Sequence, residues 1–333
     1  MTGPAPLIGH DEAWRIWRAA MMGERMHHGW ILAGREGLGK ASFAMAAAAE
    51  LVAEPGVSQP SAEAHPDILV LSPLPANDDE AKKRDDGKPF QLKRNITIDQ
   101  VRALQRRLTT RPTLGRRRAV IIDAADLLEK NAVNALLKSL EEPPLGTFFL
   151  LVVHALGRLL PTVRSRCRIL RFQSLTEADV ARALDAEAPH LDADTRRMAL
   201  LLAGGAPGAA LAFAGQDLAR AHAIFERLLE RGDPDLSLRA SLTSVLGARP
   251  DRERLAATIE AARMTVVRAL NRAADPERLR LVDVHARLVR LAAEAPIYNF
   301  DAGMLMTEIG SLLASAAPIR EGAHQVSCLQ TRK

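Results

Sequence analysis

The chain has 333 residues, 47% of them hydrophobic and 26% charged, with 45 Lys and Arg against 40 Asp and Glu for a formal net charge of +5. That composition excludes a disordered polymer, provides for a sizeable core in two or three domains, and permits contact with nucleic acid without requiring it. The two cysteines, Cys167 and Cys328, have no ligand spacing around them, and no apolar run reaches 18 residues, so a disulfide framework, a zinc site, a membrane span and a secretory leader are not expected and a reduced cytoplasmic setting is.

The first chemical feature in chain order is a short apolar run, His28 to Ala33, that leads into the glycine loop Gly34-Arg-Glu-Gly-Leu-Gly39-Lys40-Ala41. The alanine-rich stretch Lys40 to Val52 follows and reads as helix, giving strand, loop, helix. Asp67 to Ser72 has the apolar content of a buried parallel strand. Pro73 to Arg94 is rich in proline and charge with almost no core-forming residues, and it is expected to be a mobile surface loop. Thr97-Ile-Asp-Gln100 has the form of a capping box and opens an amphipathic helix to Thr110, with Ile98, Val101, Leu104 and Leu108 on one face.

Ala119 to Asp123 and Phe148 to Val153 are two further β runs, separated by a helix over Lys130 to Leu140 that Pro143-Pro144 stops. Arg168 to Phe172 closes the series. Helices are then predicted over Thr176 to Glu187, Asp194 to Ala203 and Pro207 to Ala214, with Gly204-Gly205 as a break, and longer helical patterns fill Asp217 to Ala314, including Asp251 to Ala273 and Pro276 to Ala295. The fold class is therefore α/β: a parallel sheet covered on both faces, then a small three-helix domain, then an all-helical C-terminal domain. The expected boundaries are residues 1–172, 173–216 and 217–317, with 318–333 a tail expected to be disordered.

The glycine loop fits G-x-x-x-x-G-K-[ST] except at its last position. Gly34, Gly37, Gly39 and Lys40 are the groups that hold phosphate, and Asp123, at the end of a distant strand, is the carboxylate that supports a metal from behind. Ala41 stands where a magnesium-binding hydroxyl belongs, and Ser42 cannot replace it, because one helical residue turns a side chain by about 100°. Ala124 stands where a second carboxylate would orient the attacking water, and Asp126, two residues on, is expected to point elsewhere. Two hydrolytic contributions are missing together, while nucleotide binding without hydrolysis remains open. Cys167 reads as a small buried residue, and the histidines show no ligand spacing. Arg102, Arg106, Arg107, Arg111 and Arg116 to Arg118 form the densest basic region. Such clusters are most often solvated faces, with contact to DNA phosphates the alternative.

Several segments in order resemble the clamp-loader branch of the AAA+ proteins: Leu7-Ile-Gly-His10, the glycine loop, Asp123-Ala-Ala-Asp126, Asn134 to Pro143, Ser165-Arg-Cys167 and Gly205-Ala-Pro-Gly208. The likeness spans roughly residues 5 to 215, and it falls on the side of the branch that does not hydrolyse ATP. Ala41 and Ala124 decide that, together with Ala209, where an active relative carries a nucleotide-sensing arginine, and Val153-His154, where a polar sensor residue is common. The resemblance implies a subunit of the bacterial DNA polymerase III holoenzyme, a DNA-directed DNA polymerase, acting in DNA replication to help load the sliding clamp on primer-template DNA. Gamma/tau and delta subunits of the loader are the implied partners. It also implies that Arg166, within the Ser165-Arg166-Cys167 motif, is an arginine finger acting in trans on a neighbour's ATP; taken alone, an arginine beside a strand start is more simply a surface residue. The zinc-binding cysteines usual in the family are missing between Lys40 and Asp123, so no zinc is expected. The alternatives are an ATP-hydrolysing loader subunit or AAA+ ATPase with weak activity of its own, and a standalone nucleic-acid-binding protein.

Overall fold

The computed structural model of the protein describes residues 8–318 apart from 89, 217, 248–249, 251 and 296–299. Residues 319–333, which carry most of the expected tail and Cys328, and Leu7 of the first family-like segment lie outside the described residues. Two compact units are formed, one by the chain through Ala183 together with Gly205–Gly208, the other by Leu184–Gly204 and the residues from Ala209 on.

The first unit is built on five strands, β1 (Gly29–Ala33), β2 (Ile68–Leu71), β3 (Arg118–Asp123), β4 (Thr147–Val153) and β5 (Arg168–Arg171), in the order β2-β3-β4-β1-β5 with every neighbouring pair parallel. All five residues of β1 are buried, as an interior parallel strand covered on both faces requires. Its register places Ile31 beside Leu151 of β4 and Ile169 of β5. The helices are α1 (Asp11–Met22), α2 (Lys40–Val52), α3 (Asp78–Asp85), α4 (Ile98–Leu108), α5 (Lys130–Glu141), the short α6 (Pro161–Arg164) and the start of α7 (Glu177–Glu187). One core cluster gathers Ile31, Leu69, Val120, Ile122, Phe149 and Leu151 from the strands with Val101, Leu104, Leu108, Val133 and Leu136 from α4 and α5.

Four sequence expectations change here. Pro73 to Arg94 is not a plain loop, because α3 forms inside it without any apolar face. Asn77 caps α3 by accepting from Glu80 N at 2.9 Å, acidic residues occupy its first turn and Lys82, Lys83 and Arg84 its last, the charge order that favours a helix. The segment is closed by Ala76 N donating to Gln91 O at 2.8 Å and Lys93 N to Leu74 O at 2.7 Å. Helix α1 is an addition; its N-cap, His10, sits at φ 63 with no side-chain cap, so no capping residue announces it, and its Trp17 is held by edge contacts with Trp30 and Phe43. Helix α6 is a second addition, opened by Pro161 at its first position. Arg118 leaves the basic region: β3 begins at it, and its guanidinium is buried, donating to the carbonyls of Arg107, Thr110 and Arg111 at 2.8 to 3.0 Å and lying 3.7 Å from the buried Asp67 carboxylate. Asp67 in turn accepts from Thr113 N and Leu114 N, so the pair pins the loop that carries Arg111 and Arg116.

The second unit is helical: the end of α7, α8 (Ala193–Ala203), most of α9 (Pro207–Ala214), α10 (Ala219–Arg231), α11 (Ser237–Leu246), α12 (Arg252–Leu270), α13 (Asp275–Glu294) and α14 (Ala302–Ser315). Asp233 accepts from Leu238 N, Arg239 N and Arg239 Nε, and Arg239 Nη1 reaches Ser311 Oγ at 3.0 Å, tying the turn between α10 and α11 to α14. Outward on α13, Leu279, Val282, Ala286 and Val289 repeat at intervals of three and four, the spacing of a coiled-coil seam, and Leu279 is 75% exposed. Among the described residues no helix is long and apolar enough to cross a membrane.

Candidate nucleotide loop and projecting arginine

The loop between β1 and α2 has the backbone of a phosphate cradle. Gly37 and Gly39 sit at φ 78 and 80, conformations that cost a side chain energy, and a Cβ on Gly34 would come 2.6 Å from the Phe172 carbonyl oxygen. Three of the loop's carbonyls are bound by its own chain. Lys40 Nζ donates to Arg35 O at 2.6 Å, Gly208 N donates to Gly37 O at 2.8 Å, and His10 Nε2 stands 2.7 Å from Leu38 O, as its protonated tautomer requires. His10 and Gly208 were legible only as parts of family-like motifs; both bind carbonyl oxygens of the loop.

Lys40 is 2% exposed, and burial pushes its ammonium down to about 8, against the opposing pull of the Glu36, Asp123 and Asp126 carboxylates. Burial likewise raises the Asp123 carboxyl, offset by His154 and Lys40. Gly34, Gly37, Gly39, Lys40 and Asp123 therefore gather at the carboxyl ends of the strands, where ligands of open parallel sheets bind. The chemistry around them is depleted. Ala41 offers no hydroxyl, Ser42 is exposed on the far side of the turn, and Ala124 is buried without a polar group. Asp126 is engaged elsewhere, its two oxygens accepting from His154 N and Ala155 N at 3.1 Å each. The amides and Lys40 fit a phosphate; the donor set for a magnesium ion and an attacking water does not fit, since no hydroxyl stands at Ala41, no carboxylate at Ala124, and Asp126 is held by the amides of His154 and Ala155.

Arg166 is not part of this cradle. It lies just before β5, whose Arg168 is level with Trp30 near the start of β1, and the phosphate loop follows the end of β1. At a rise of about 3.3 Å per residue the length of β1, roughly 13 Å, separates the two, and they sit at opposite ends of the sheet. The side chain is 36% exposed, with Nη2 2.7 Å from Glu141 Oε1 and Nη1 donating to Thr162 O at 2.9 Å and Ser165 Oγ at 3.3 Å. Cys167, beside it, is half-buried, and burial pushes its thiol up to about 12, which removes it as a nucleophile. Arg102, Arg106 and Arg107 are exposed on α4, Arg102 within 3.6 Å of Asp99.

The sequence profile described as "DNA polymerase III, delta subunit" matches residues 9–176, half of the chain and nearly all of the sheet-bearing unit. The chain belongs to the DNA polymerase III delta-subunit family. Within the family, DNA polymerase III subunit delta' of Pseudomonas aeruginosa is 34% identical over 60% of this chain and 61% of its own length. Its counterpart from Escherichia coli K12 is 40% identical over 37% of each. The chain thus spans less than two thirds of the length of these curated relatives. A gamma subunit-related protein of DNA polymerase III from Thermotoga maritima has the same fold, with a TM-score of 0.50 over 92% of this chain and 99% of that one at 18% identity. The delta' relatives agree with the resemblance read from the sequence.

Proposed function

We propose that this chain is a non-hydrolysing subunit of the DNA polymerase III clamp loader, which helps place a sliding clamp on primed DNA and supplies Arg166 in trans to the ATP of a neighbouring gamma/tau subunit. The observation that carries the reading is the opposition of the two sites: a phosphate loop without its hydroxyl and catalytic carboxylate at one end of the sheet, and a partly exposed arginine at the other, beyond reach of that loop. A guanidinium so placed can neutralise charge only on a phosphate held by another molecule, and such a finger is worth about 10³ to 10⁵ in rate. The phosphate loop keeps the capacity for phosphate through Lys40 and its amides, and we expect no turnover from it.

The helical unit would join the subunits, with the α13 seam of Leu279, Val282 and Val289 as the surface assigned to that contact, and delta and gamma/tau subunits as the partners. Arg102, Arg106 and Arg107 on α4 are assigned to phosphates of primer-template DNA held by the assembled loader. The test is reconstitution with an ATP-hydrolysing gamma/tau subunit. This chain alone should not hydrolyse ATP, the mixture should, and Arg166→Ala should lower the partner's kcat at least about a thousandfold. Turnover by the isolated chain would move the assignment to a weak ATPase acting through Lys40 and Asp123.

A further inference from the structure

We infer that Glu141 is a positioning residue that parks the Arg166 guanidinium on its own subunit and must release it before the arginine can act on a neighbour; this rests on the role proposed for Arg166. The guanidinium is occupied on two sides, by the Glu141 carboxylate at 2.7 Å and by the Thr162 carbonyl and Ser165 hydroxyl at 2.9 and 3.3 Å. Both anchors are ends of helices. Thr162 lies in α6, and Glu141 is the last residue of α5, before Pro143-Pro144 end the run.

A carboxylate at that position is locally unfavourable, because the carbonyl end of a helix already carries partial negative charge. Helix α5 has twelve residues and only Lys138 as a basic group in its last turn, so the cation that best offsets Glu141 is Arg166, 25 positions away in sequence. The same arrangement favours the guanidinium, which meets a formal negative charge and two oxygens at once.

The pair is also half in solvent, Arg166 36% and Glu141 48% exposed, which sets its strength. Exposed ion pairs are weak, and at their usual upper limit they change a population by no more than about fivefold. A pair of this strength holds the side chain in one orientation when no phosphate is near, yet a triphosphate with several negative charges displaces it readily. Glu141 thereby sets the fraction of Arg166 available to the neighbour, and it competes with the phosphoryl oxygens for the same Nη2.

The experiment compares wild type, Glu141→Gln, Glu141→Ala and Arg166→Ala in two assays. In the isolated full-length chain, phenylglyoxal modification of Arg166 is followed by mass spectrometry, and both Glu141 variants should react two- to fivefold faster than wild type. In the reconstituted mixture with a gamma/tau subunit, both should raise the partner's kcat by two- to fivefold with KM for ATP unchanged. Should Arg166→Ala abolish stimulation while the Glu141 variants leave kcat and modification rate as in wild type, the parking role falls and the finger stands. A fall in kcat on replacing Glu141 would also overturn it, since the carboxylate would then be aiming the arginine instead of withholding it. If Arg166→Ala has no effect on the partner, the finger and the parking role fall together.

Discussion

The Lys40 ammonium donates to the Arg35 carbonyl oxygen 2.6 Å away, so the lysine of the phosphate loop is turned onto the loop itself. It does so while 2% exposed and with its pKa pushed down to about 8 by burial, from an ordinary value of 10.5. A lysine depressed in the folded state binds fewer protons there than in the unfolded chain between pH 8 and 10.5, and stability must rise with pH through that window. At pH 7 the full cost of the buried charge is present. Wild type should therefore gain about 3 kcal/mol on Lys40→Met between pH 8 and 10.5. Urea midpoints of the two proteins at pH 7, 9 and 10.5 measure it, and parallel curves would mean that the ammonium is solvated.

What the sequence made legible is local. The glycine loop, the Thr97 capping box, the alternation of β runs with helices and the bounds of α2 and α9 follow from neighbours along the chain, and each is found as expected. What it hid is the set of contacts between distant positions. Arg118 belongs to an unbroken basic run in sequence and is buried only because β3 must pair along its whole length with β4, next to Asp67. Helix α3 has no apolar period, so hydrophobic pattern could not announce it, and only the Asn77 cap and the charge order could. The partners of Arg166 and of the loop carbonyls, Glu141, His10 and Gly208, have no signature of their own, because their roles exist only once the sheet has brought them together.

Asp126 is the residue that could pass for a replacement base, and its geometry points to a structural role. Both carboxylate oxygens accept from backbone amides at the end of β4, those of His154 and Ala155. Removing the carboxylate in Asp126→Ala leaves two amides without acceptors at a cost of about 1–3 kcal/mol, and Asp126→Asn, which keeps one acceptor oxygen, should cost less. Thermal or urea unfolding gives the ranking. The isolated chain should show no ATP turnover with or without the Asp126 carboxylate, and turnover in wild type that Asp126→Asn abolishes, corrected for the folded fraction, would restore Asp126 as a base.

Arg106 and Arg107 stand exposed on the polar face of α4, whereas Arg118 is held inside by three carbonyls. If the exposed pair contacts DNA phosphates in the assembled loader, each contact releases counterions and contributes about 0.9 to the slope of log affinity against log salt. Reversing both charges, Arg106→Glu with Arg107→Glu, should flatten that slope by about 1.8 and weaken binding to all sequences alike. Fluorescence titration of primed DNA with reconstituted loader at several salt concentrations reads the slope directly, and an unchanged slope would return these arginines to the solvated face.

Gly208 bears on the phosphate loop through contact as well as a hydrogen bond. A Cβ added there would lie 2.8 Å from Gly37 Cα and 3.2 Å from Gly37 O, backbone atoms that no rotamer change can move aside. Gly208→Ala must therefore displace either the Gly205–Gly208 segment or the loop, and it should cost about 1–3 kcal/mol. Gly157→Ala is the control, since nothing lies within 4 Å of its added Cβ and its backbone is not left-handed; it should stay within about 0.5 kcal/mol of wild type. Hydrogen exchange separates this from general destabilisation. The Gly208 amide, bonded to Gly37 O, should be protected in wild type, and the neighbouring amides of the segment should lose protection in Gly208→Ala while the β1 and β4 amides keep theirs. Equal loss across the sheet would mean that the glycine supports the whole unit and has no particular bearing on the loop.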